Sequence, residues 1–332
     1  MATPSTPAQR VICIGDVHGN FDHLMALWQA LRKHLGDDLD RTTVVFLGDY
    51  CDRGPNTRAV LDWLIALKAL REHPGMAPVH FICGNHDFGM AAFLGCLPIS
   101  GPPPLDLEST RDPAFTSGFW PYPVEGGMHY MGRRWANMTT YQCASTFKSY
   151  GVELEAKVKA SAYAPAAGHQ MTQRMHADLL AAVPASHRRF LSELQWVHEQ
   201  PVAWPPGTLV CVHAGLQEGG SADEQLAALR ARDLAAPALH DRGDKGRNPA
   251  FCGRTDVLPL PPELQGRAML VSGHHGFADL AHGHADRIVC DRSGGTPKDD
   301  RPLEAVLLPD RTVVGSDGSV TTLLDRSLQG GS

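Results

Sequence analysis

Apolar and polar positions alternate in blocks along this chain, and the blocks repeat one unit. Short apolar, β-branched runs at 11–14, 42–47 and 79–83 each stop at a glycine followed by charged or amide side chains. The first two are followed by apolar positions at helical spacing: Leu24, Leu27, Trp28, Leu31 and Leu35 after the first run, and a stretch over 56–70 after the second. Strand, loop and helix taken in succession predict an α/β sheet with right-handed crossovers. Further strands are expected at 208–212, 268–272, 288–291, 304–308 and 312–314, the last two joined by a Pro309-Asp310 turn. Helices are expected at 171–182, 186–199 and 222–233. Ser186 is the expected cap of the second of these, with Phe190, Leu191, Leu194 and Val197 as its buried stripe. Between 97 and 168 no clean period is found. That stretch carries Phe119, Trp120, Tyr122, Tyr130, Arg133, Arg134 and Trp135, and it reads as a functional insertion rather than a linker.

Composition narrows the function classes. The chain has 332 residues, 43% of them hydrophobic and 20% charged, as in ordinary globular proteins. A formal charge of -6 leaves no basic footprint for nucleic acid and disfavours docking on an anionic membrane. No apolar run has the length of a membrane span, and residues 1–10 lack the apolar core of a secretory signal. The eight cysteines include no C-x-x-C pair, and several lie inside strand-like runs, so a reducing, cytosolic setting is expected.

The strand ends carry the chemistry. Asp16 and His18 stand two apart in Gly15-Asp16-Val17-His18-Gly19, a spacing that turns both side chains to one side. Each has an ordinary use too, as a helix cap and a polar loop residue. Gly48-Asp49-Tyr50-Cys51-Asp52-Arg53-Gly54 places two carboxylates and an arginine at the carboxyl end of a strand, where α/β sheets bind ligands. Asn85 and His86 follow the third run, His213 and His274-His275 later ones. Asp16, His18, Asp49, Asn85, His213 and His274 together offer imidazoles and oxygen donors, a set suited to Mn, Fe or Zn. With Asp49 shared, they suit two divalent ions that bridge a hydroxide and clamp an in-line displacement at phosphorus.

With these motifs in place, the chain resembles the calcineurin-like metallophosphoesterases, and within them the phosphoprotein phosphatases. The likeness rests on the motifs at Asp16, Asp49, Asn85, on Val212-His213-Ala214-Gly215 and on Gly273-His274. Stretches at 48–64, 127–135, 183–198 and 273–276 are most similar to the bacterial-type, Rhizobiales-like phosphatases of plants. The resemblance implies an αββα sandwich of two mixed β-sheets flanked by helices. It covers one domain over 11–316 with an insertion at about 97–170, and leaves out the Pro/Thr/Ala-rich start over 1–10 and the Gly/Ser-rich tail over 317–332, whose composition reads as flexible. It assigns Asp16, His18 and Asp49 to one metal, and Asp49, Asn85, His213 and His274 to the other. It makes His86 the general acid oriented by Asp52, and gives Arg53 and Arg254 the phosphoryl oxygens. The motif selects His274 over His275.

Three positions depart from the pattern. Ala214-Gly215 replaces Gly-Gly, Asp87 replaces the glutamate of the eukaryotic serine/threonine enzymes, and Asp291-Arg292-Ser293-Gly294-Gly295 stands where those enzymes carry Ser-Ala-Pro-Asn-Tyr-Cys. The plant branch is associated with phosphotyrosine, so the expected activity is dephosphorylation of phosphotyrosine in a phosphoprotein. The rival readings are a symmetric dinucleoside-polyphosphate hydrolase and a catalytically inert phosphate-binding module; the intact ligand set with His86 disfavours the second.

Overall fold

The computed structural model describes residues 10–100, 128–136, 141–155, 157–158, 168–169, 171–240, 248–276, 285–298 and 301–323. Twelve strands are formed among them. β1 (Val11–Ile14), β2 (Thr43–Phe46) and β3 (Val79–Phe81) belong to the first repeated units. The short β4 (Lys157–Val158) and β5 (Gly168–His169) pair with each other. β6 (Val197–Pro201), β7 (Thr208–Val212), β8 (Met269–Ser272) and β9 (Arg287–Val289) follow, then β10 (Glu304–Leu308), β11 (Thr312–Gly315) and β12 (Val320–Thr322). One sheet has six strands in the order β12-β11-β10-β1-β2-β3, and another has four in the order β6-β7-β8-β9. Both are mixed: β1 runs parallel to β2 and antiparallel to β10, and β7 runs antiparallel to β6 and parallel to β8.

Alternation along β1 shows how the layers stack. Val11 and Cys13 join Leu209, Cys211, Met269, Val271, Val306 and Leu308 in a core between the two sheets. Ile12 and Ile14 face the other way, into the core beneath the helices. Side chains two apart share a face, so a fully apolar strand buried on both faces is the expected signature of such a layer. Cys13 and Cys211 meet across the sandwich at 3.9 Å between sulfurs as free thiols.

The helices are α1 (Phe21–Leu35), α2 (Thr57–Arg71), α3 (Asn85–Phe93), α4 (Tyr130–Ala136), α5 (Ala144–Ser149), α6 (Gln173–Ala182), α7 (Ala185–Glu193), α8 (Ala222–Ala231) and the single turn α9 (Pro249–Cys252). On α1 the predicted stripe is the inner face: Leu24, Leu27 and Leu31 are buried, and Trp28 and Leu35 pack at its edge. No helix among the described residues is long and apolar enough to cross a membrane.

Three expectations are corrected. The helix expected over 186–199 ends at Glu193, and the chain then enters β6. Gln195 is captured by the end of β3: its N–H donates to the Phe81 carbonyl, and the Cys83 N–H donates to its own. Phe190, Leu191, Leu194 and Val197 are all buried as expected, but by a helix followed by a strand. Ser186 lies inside the first turn, and Pro184 holds the cap position. The chain beyond Ser316 does not fray at once, because β12 pairs with β11. Residues 1–9, 324–332 and most of the insertion, including Phe119, Trp120 and Tyr122, lie outside the described residues.

Candidate active site

The carboxyl ends of β1, β2, β7 and β8, with the loop after β3, converge on one buried cluster. Each strand delivers its functional residue in the turn that follows it, so both sheets contribute. The backbone there is unusual. Among the described residues, eight that are not glycine have positive φ, and five of them are His18 (49°), Asp49 (54°), Asp52 (71°), Arg53 (59°) and His274 (72°). Side chains rarely adopt this region, and its concentration at one place marks a site held by its surroundings. Glycine takes the tightest positions. Gly48 has φ +109°, and a Cβ on it would come within 2.7 Å of both the Gly84 nitrogen and His213 Nδ1.

Asp49 is the hub. Its Oδ1 accepts from the His86 N–H at 2.9 Å. Its Oδ2 faces three imidazoles: His213 Nε2 at 3.5 Å, His18 Nε2 at 3.7 Å and His86 Nε2 at 4.0 Å. Burial works against the carboxylate, but His213, His86 and His18 outweigh it and hold its pKa well below the usual range. The converse holds at His213: burial lowers its pKa, Asp49 raises it further, and the result is about 9. Two groups of side chains lie close enough to share an ion: His18, Asp49 and His86, and Asp49, His213 and His274.

The ring nitrogens are sorted for the purpose. His18 Nδ1 is 2.6 Å from the Cys51 carbonyl and His213 Nδ1 2.7 Å from the Leu47 carbonyl. With those nitrogens as donors, each Nε2 is the atom that faces the cluster, where a bound cation would take its lone pair, at His213 in place of the proton that Asp49 stabilises. The Nε2 atoms of His18 and His274 are buried with no hydrogen-bond partner among the described residues. Buried polar atoms without partners are costly, and a cation would satisfy both. His275 differs: its Nε2 is spent on the Ala214 carbonyl at 2.9 Å. Asn85 Oδ1 lies 3.2 Å from His213 Nε2. Asp16 stands outside both groups, with its Oδ1 accepting from the His274 N–H at 3.0 Å; burial, then Asp291, pushes its pKa up.

His86 and Asp52 form a pair beside this cluster. The Nδ1–H of His86 donates to Asp52 Oδ2 at 2.7 Å, and both side chains are buried. Burial lowers the His86 pKa to about 3, with Arg53 and Arg254 adding to the effect against Asp49. Arg53 reaches from the same loop: one terminal nitrogen donates to the Gly294 carbonyl, and the other is 3.3 Å from His86 Nε2. Arg254 donates to the His274 carbonyl at 3.2 Å. A cavity of about 100 Å³ opens above the cluster, lined by Arg53, Asn85, His86, Arg134, Tyr141, Cys252, Arg254 and His274. Arginine guanidinium groups over a cation cluster suit a tetrahedral oxyanion.

Some contributors are not legible as motifs. Asp87 fastens the loops, accepting from the N–H groups of Asp49 (2.7 Å), Tyr50 (2.8 Å) and Gly84 (3.0 Å). The turn at 291–295 closes the side next to His18. Its Gly295 lies so close that a Cβ would meet that ring, and its Gly295 carbonyl accepts from Asn20. Within the insertion the expectation divides. Arg134 and Tyr141 line the cavity, whereas Arg133 is only 3% exposed and Trp135 is fully buried.

The comparisons agree with this geometry. Residues 9–150 match the family described as calcineurin-like phosphoesterase. The serine/threonine-protein phosphatase BSL2 of Arabidopsis thaliana is 38% identical over 74 residues, 22% of this chain and 7% of that protein. A Caenorhabditis elegans protein named as a serine/threonine-protein phosphatase is 36% identical over 77 residues, 23% of this chain and 15% of its own length. The aligned stretches are thus small parts of both relatives. The crystal structure of a cold-active protein-tyrosine phosphatase from a Shewanella species has the same fold, with a TM-score of 0.51 at 17% identity over 95% of this chain and 80% of that one. The family match thus spans a little under half of the chain and contains the turns after β1, β2 and β3.

Proposed function

We propose that this protein is a two-metal phosphoric monoester hydrolase acting on phosphoproteins. The observation that carries the reading is the buried Asp49 carboxylate. It stands between two histidine-containing groups, beneath a cavity lined by Arg53 and Arg254. The unpartnered Nε2 atoms of His18 and His274 fit divalent cations. Asp16, His18 and Asp49 would hold one, and Asp49, Asn85, His213 and His274 the other; the donor set suits Mn, Fe or Zn. Two such ions supply Lewis-acid polarisation of the phosphoryl group and activation of the attacking water.

The protein side chains do the rest. Arg53 and Arg254 orient the phosphoryl oxygens and offset the charge that develops on them. His86 delivers a proton from Nε2 to the leaving oxygen while Asp52 keeps Nδ1 protonated and the ring in place. In the absence of phosphate, burial and the two arginines hold His86 neutral. A phosphoryl dianion seated on those arginines cancels their effect and favours the protonated ring.

Phosphotyrosine is the proposed target. The turn at 291–295 differs from the loop of the serine/threonine enzymes, and the motifs resemble the Rhizobiales-like plant branch. The two curated relatives, both named serine/threonine-protein phosphatases, support a phosphoprotein substrate over their short aligned stretches, and for the residue their names count against tyrosine. The free thiols suit a reducing, cytosolic setting. The test is a panel of a phosphotyrosine peptide, a phosphothreonine peptide and diadenosine tetraphosphate. The phosphotyrosine peptide is expected to give the highest kcat/KM. Preference for the phosphothreonine peptide overturns the residue assignment, preference for diadenosine tetraphosphate establishes the rival hydrolase, and no turnover of any by metal-loaded protein leaves the inert binding module.

A further inference from the structure

Asp52 is fully buried, and every polar group touching its carboxylate is a donor. Oδ2 accepts from His86 Nδ1 and also from Trp135 Nε1 at 2.8 Å. Oδ1 accepts from Thr146 Oγ1 at 2.7 Å. The Asp52 N–H is shared between Thr146 Oγ1 at 3.0 Å and Thr57 Oγ1 at 3.2 Å, and the two hydroxyls are 3.0 Å apart; with Thr57 donating across that gap, the Thr146 proton goes to Asp52. A carboxylate with all its near partners donating is held in one rotamer, and the Thr146 and Trp135 bonds work against the burial that raises its pKa to about 7. His86 then has one tautomer at that face, with Nδ1–H toward Asp52 and Nε2 toward the cavity.

The two donors lie 83 and 94 positions after Asp52, in the inserted part of the chain. They form one unit. The Trp135 ring stacks on Phe147, next to Thr146, with centroids 5.5 Å apart and 25° between planes. Its carbonyl accepts from the Cys143 thiol. α4 is pressed onto α3, the helix that carries His86, through glycines on both sides. A Cβ on Gly89 would lie 2.9 Å from the Trp135 Cβ, and one on Gly132 would lie 2.7 Å from the Phe93 nitrogen. Close backbone approach of this kind fixes the indole relative to α3.

From this we infer that Trp135 and Thr146 are positioning residues for proton delivery: they clamp Asp52, and through it they set the orientation and tautomer of His86. The inserted segment therefore serves the leaving-group step as well as any choice of substrate. The inference rests on the proposed role of His86 as the acid.

The experiment compares kcat on phenyl phosphate and 4-nitrophenyl phosphate in metal-loaded protein, for Trp135→Phe, Thr146→Val, Thr146→Ser and the reference His86→Asn. Phenol needs protonation as it leaves far more than 4-nitrophenol does. His86→Asn is expected to lower kcat more for phenyl phosphate. Trp135→Phe keeps an aromatic ring in the stack and Thr146→Val keeps the shape, and each removes one donor. Each is expected to raise the ratio of 4-nitrophenyl to phenyl turnover roughly tenfold, a part of the roughly 10²–10⁴-fold that a general acid supplies, at unchanged metal content. Thr146→Ser is expected to restore the wild-type ratio. A shifted ratio in His86→Asn with an unshifted one in both clamp variants overturns the inference and leaves the acid in place. An unshifted ratio in His86→Asn overturns the acid assignment itself. Should Trp135→Phe bind less metal, Thr146→Val with its serine counterpart decides the matter.

Discussion

At the scale of single residues the site is an exercise in leaving atoms unspent. His18 and His213 each commit one ring nitrogen to a backbone carbonyl, so that the other faces Asp49. Asp49 gives Oδ1 to the His86 N–H and turns Oδ2 to three imidazoles. Two neighbouring cations sharing one ligand need a charged oxygen, because a neutral amide cannot bridge two dications as a carboxylate does. Asp49→Asn is therefore expected to fold, to lose metal measured by elemental analysis, and to lose turnover by at least about 10²-fold, as for other groups that hold the transition state. Wild-type metal content with wild-type turnover would remove Asp49 from the hub. Much of this arrangement was legible in the sequence, because Asp16, His18, Asp49, Asn85 and His274 each stand in a short glycine-led motif after an apolar run, and His213 directly ends one. Asp16 is the instructive partial case. The spacing in Gly15-Asp16-Val17-His18 brings it to the right turn, but its carboxyl contacts the His274 N–H and the vicinity of Asp291. Those partners are more than 250 positions away, beyond the reach of any local pattern.

At the scale of elements, strands were read more reliably than the helices between them. A buried strand flanked by glycine is a short, dense apolar run. By contrast, the periodic stripe at Phe190, Leu191, Leu194 and Val197 is equally satisfied by a helix that becomes a strand. What decides is non-local: Gln195 pairs with Phe81 and Cys83 on β3. The insertion was legible only as composition. Its adjacent arginines looked alike, yet α4 turns them to different places. Arg133 is buried, while Arg134 lines the cavity with Tyr141. Arg134 is thus placed to meet a group beyond the phosphoryl itself, such as the acidic side chain or second phosphate of a peptide. Arg134→Ala is expected to lower kcat/KM for phosphopeptides, most for those bearing a second phosphate, by roughly 5- to 50-fold, the span of one charge-assisted contact. The loss on 4-nitrophenyl phosphate is expected to be smaller. Equal losses on peptide and small ester would place the residue in the chemistry or the packing instead of in peptide recognition.

At the scale of the whole molecule, the site is a junction between two sheets. Asp16, His18, Asp49 and Asn85 come from the turns after β1, β2 and β3, and His213 and His274 from those after β7 and β8. The sheets are otherwise joined by an apolar layer with the two thiols Cys13 and Cys211 at its centre, and by Gln195 at one edge. Ions bound among these side chains would tie one sheet to the other. They also cancel the repulsion between the buried carboxylates of Asp16, Asp49 and Asp291, which burial and mutual proximity disturb in the metal-free protein. Anything that binds only the folded state raises its stability by mass action, by about 2.7 kcal/mol when the free ion is at a hundred times its dissociation constant. Removal of metal with a chelator is therefore expected to lower Tm by several degrees, consistent with the usual few degrees per kcal/mol for a chain of this size. Restoring Mn, Fe or Zn should bring it back, and the chelator should have little further effect on Asp49→Asn. Because the ligands span both sheets, the shift should be seen alike by tryptophan fluorescence, with Trp135 beside α3 and Trp204 in the intersheet layer, and by far-ultraviolet circular dichroism. A chelator that abolishes turnover without moving Tm would mean that the ions sit on a scaffold already complete without them. A shift in one probe alone would mean that unfolding is not a single transition and that the ions bear on only part of the fold.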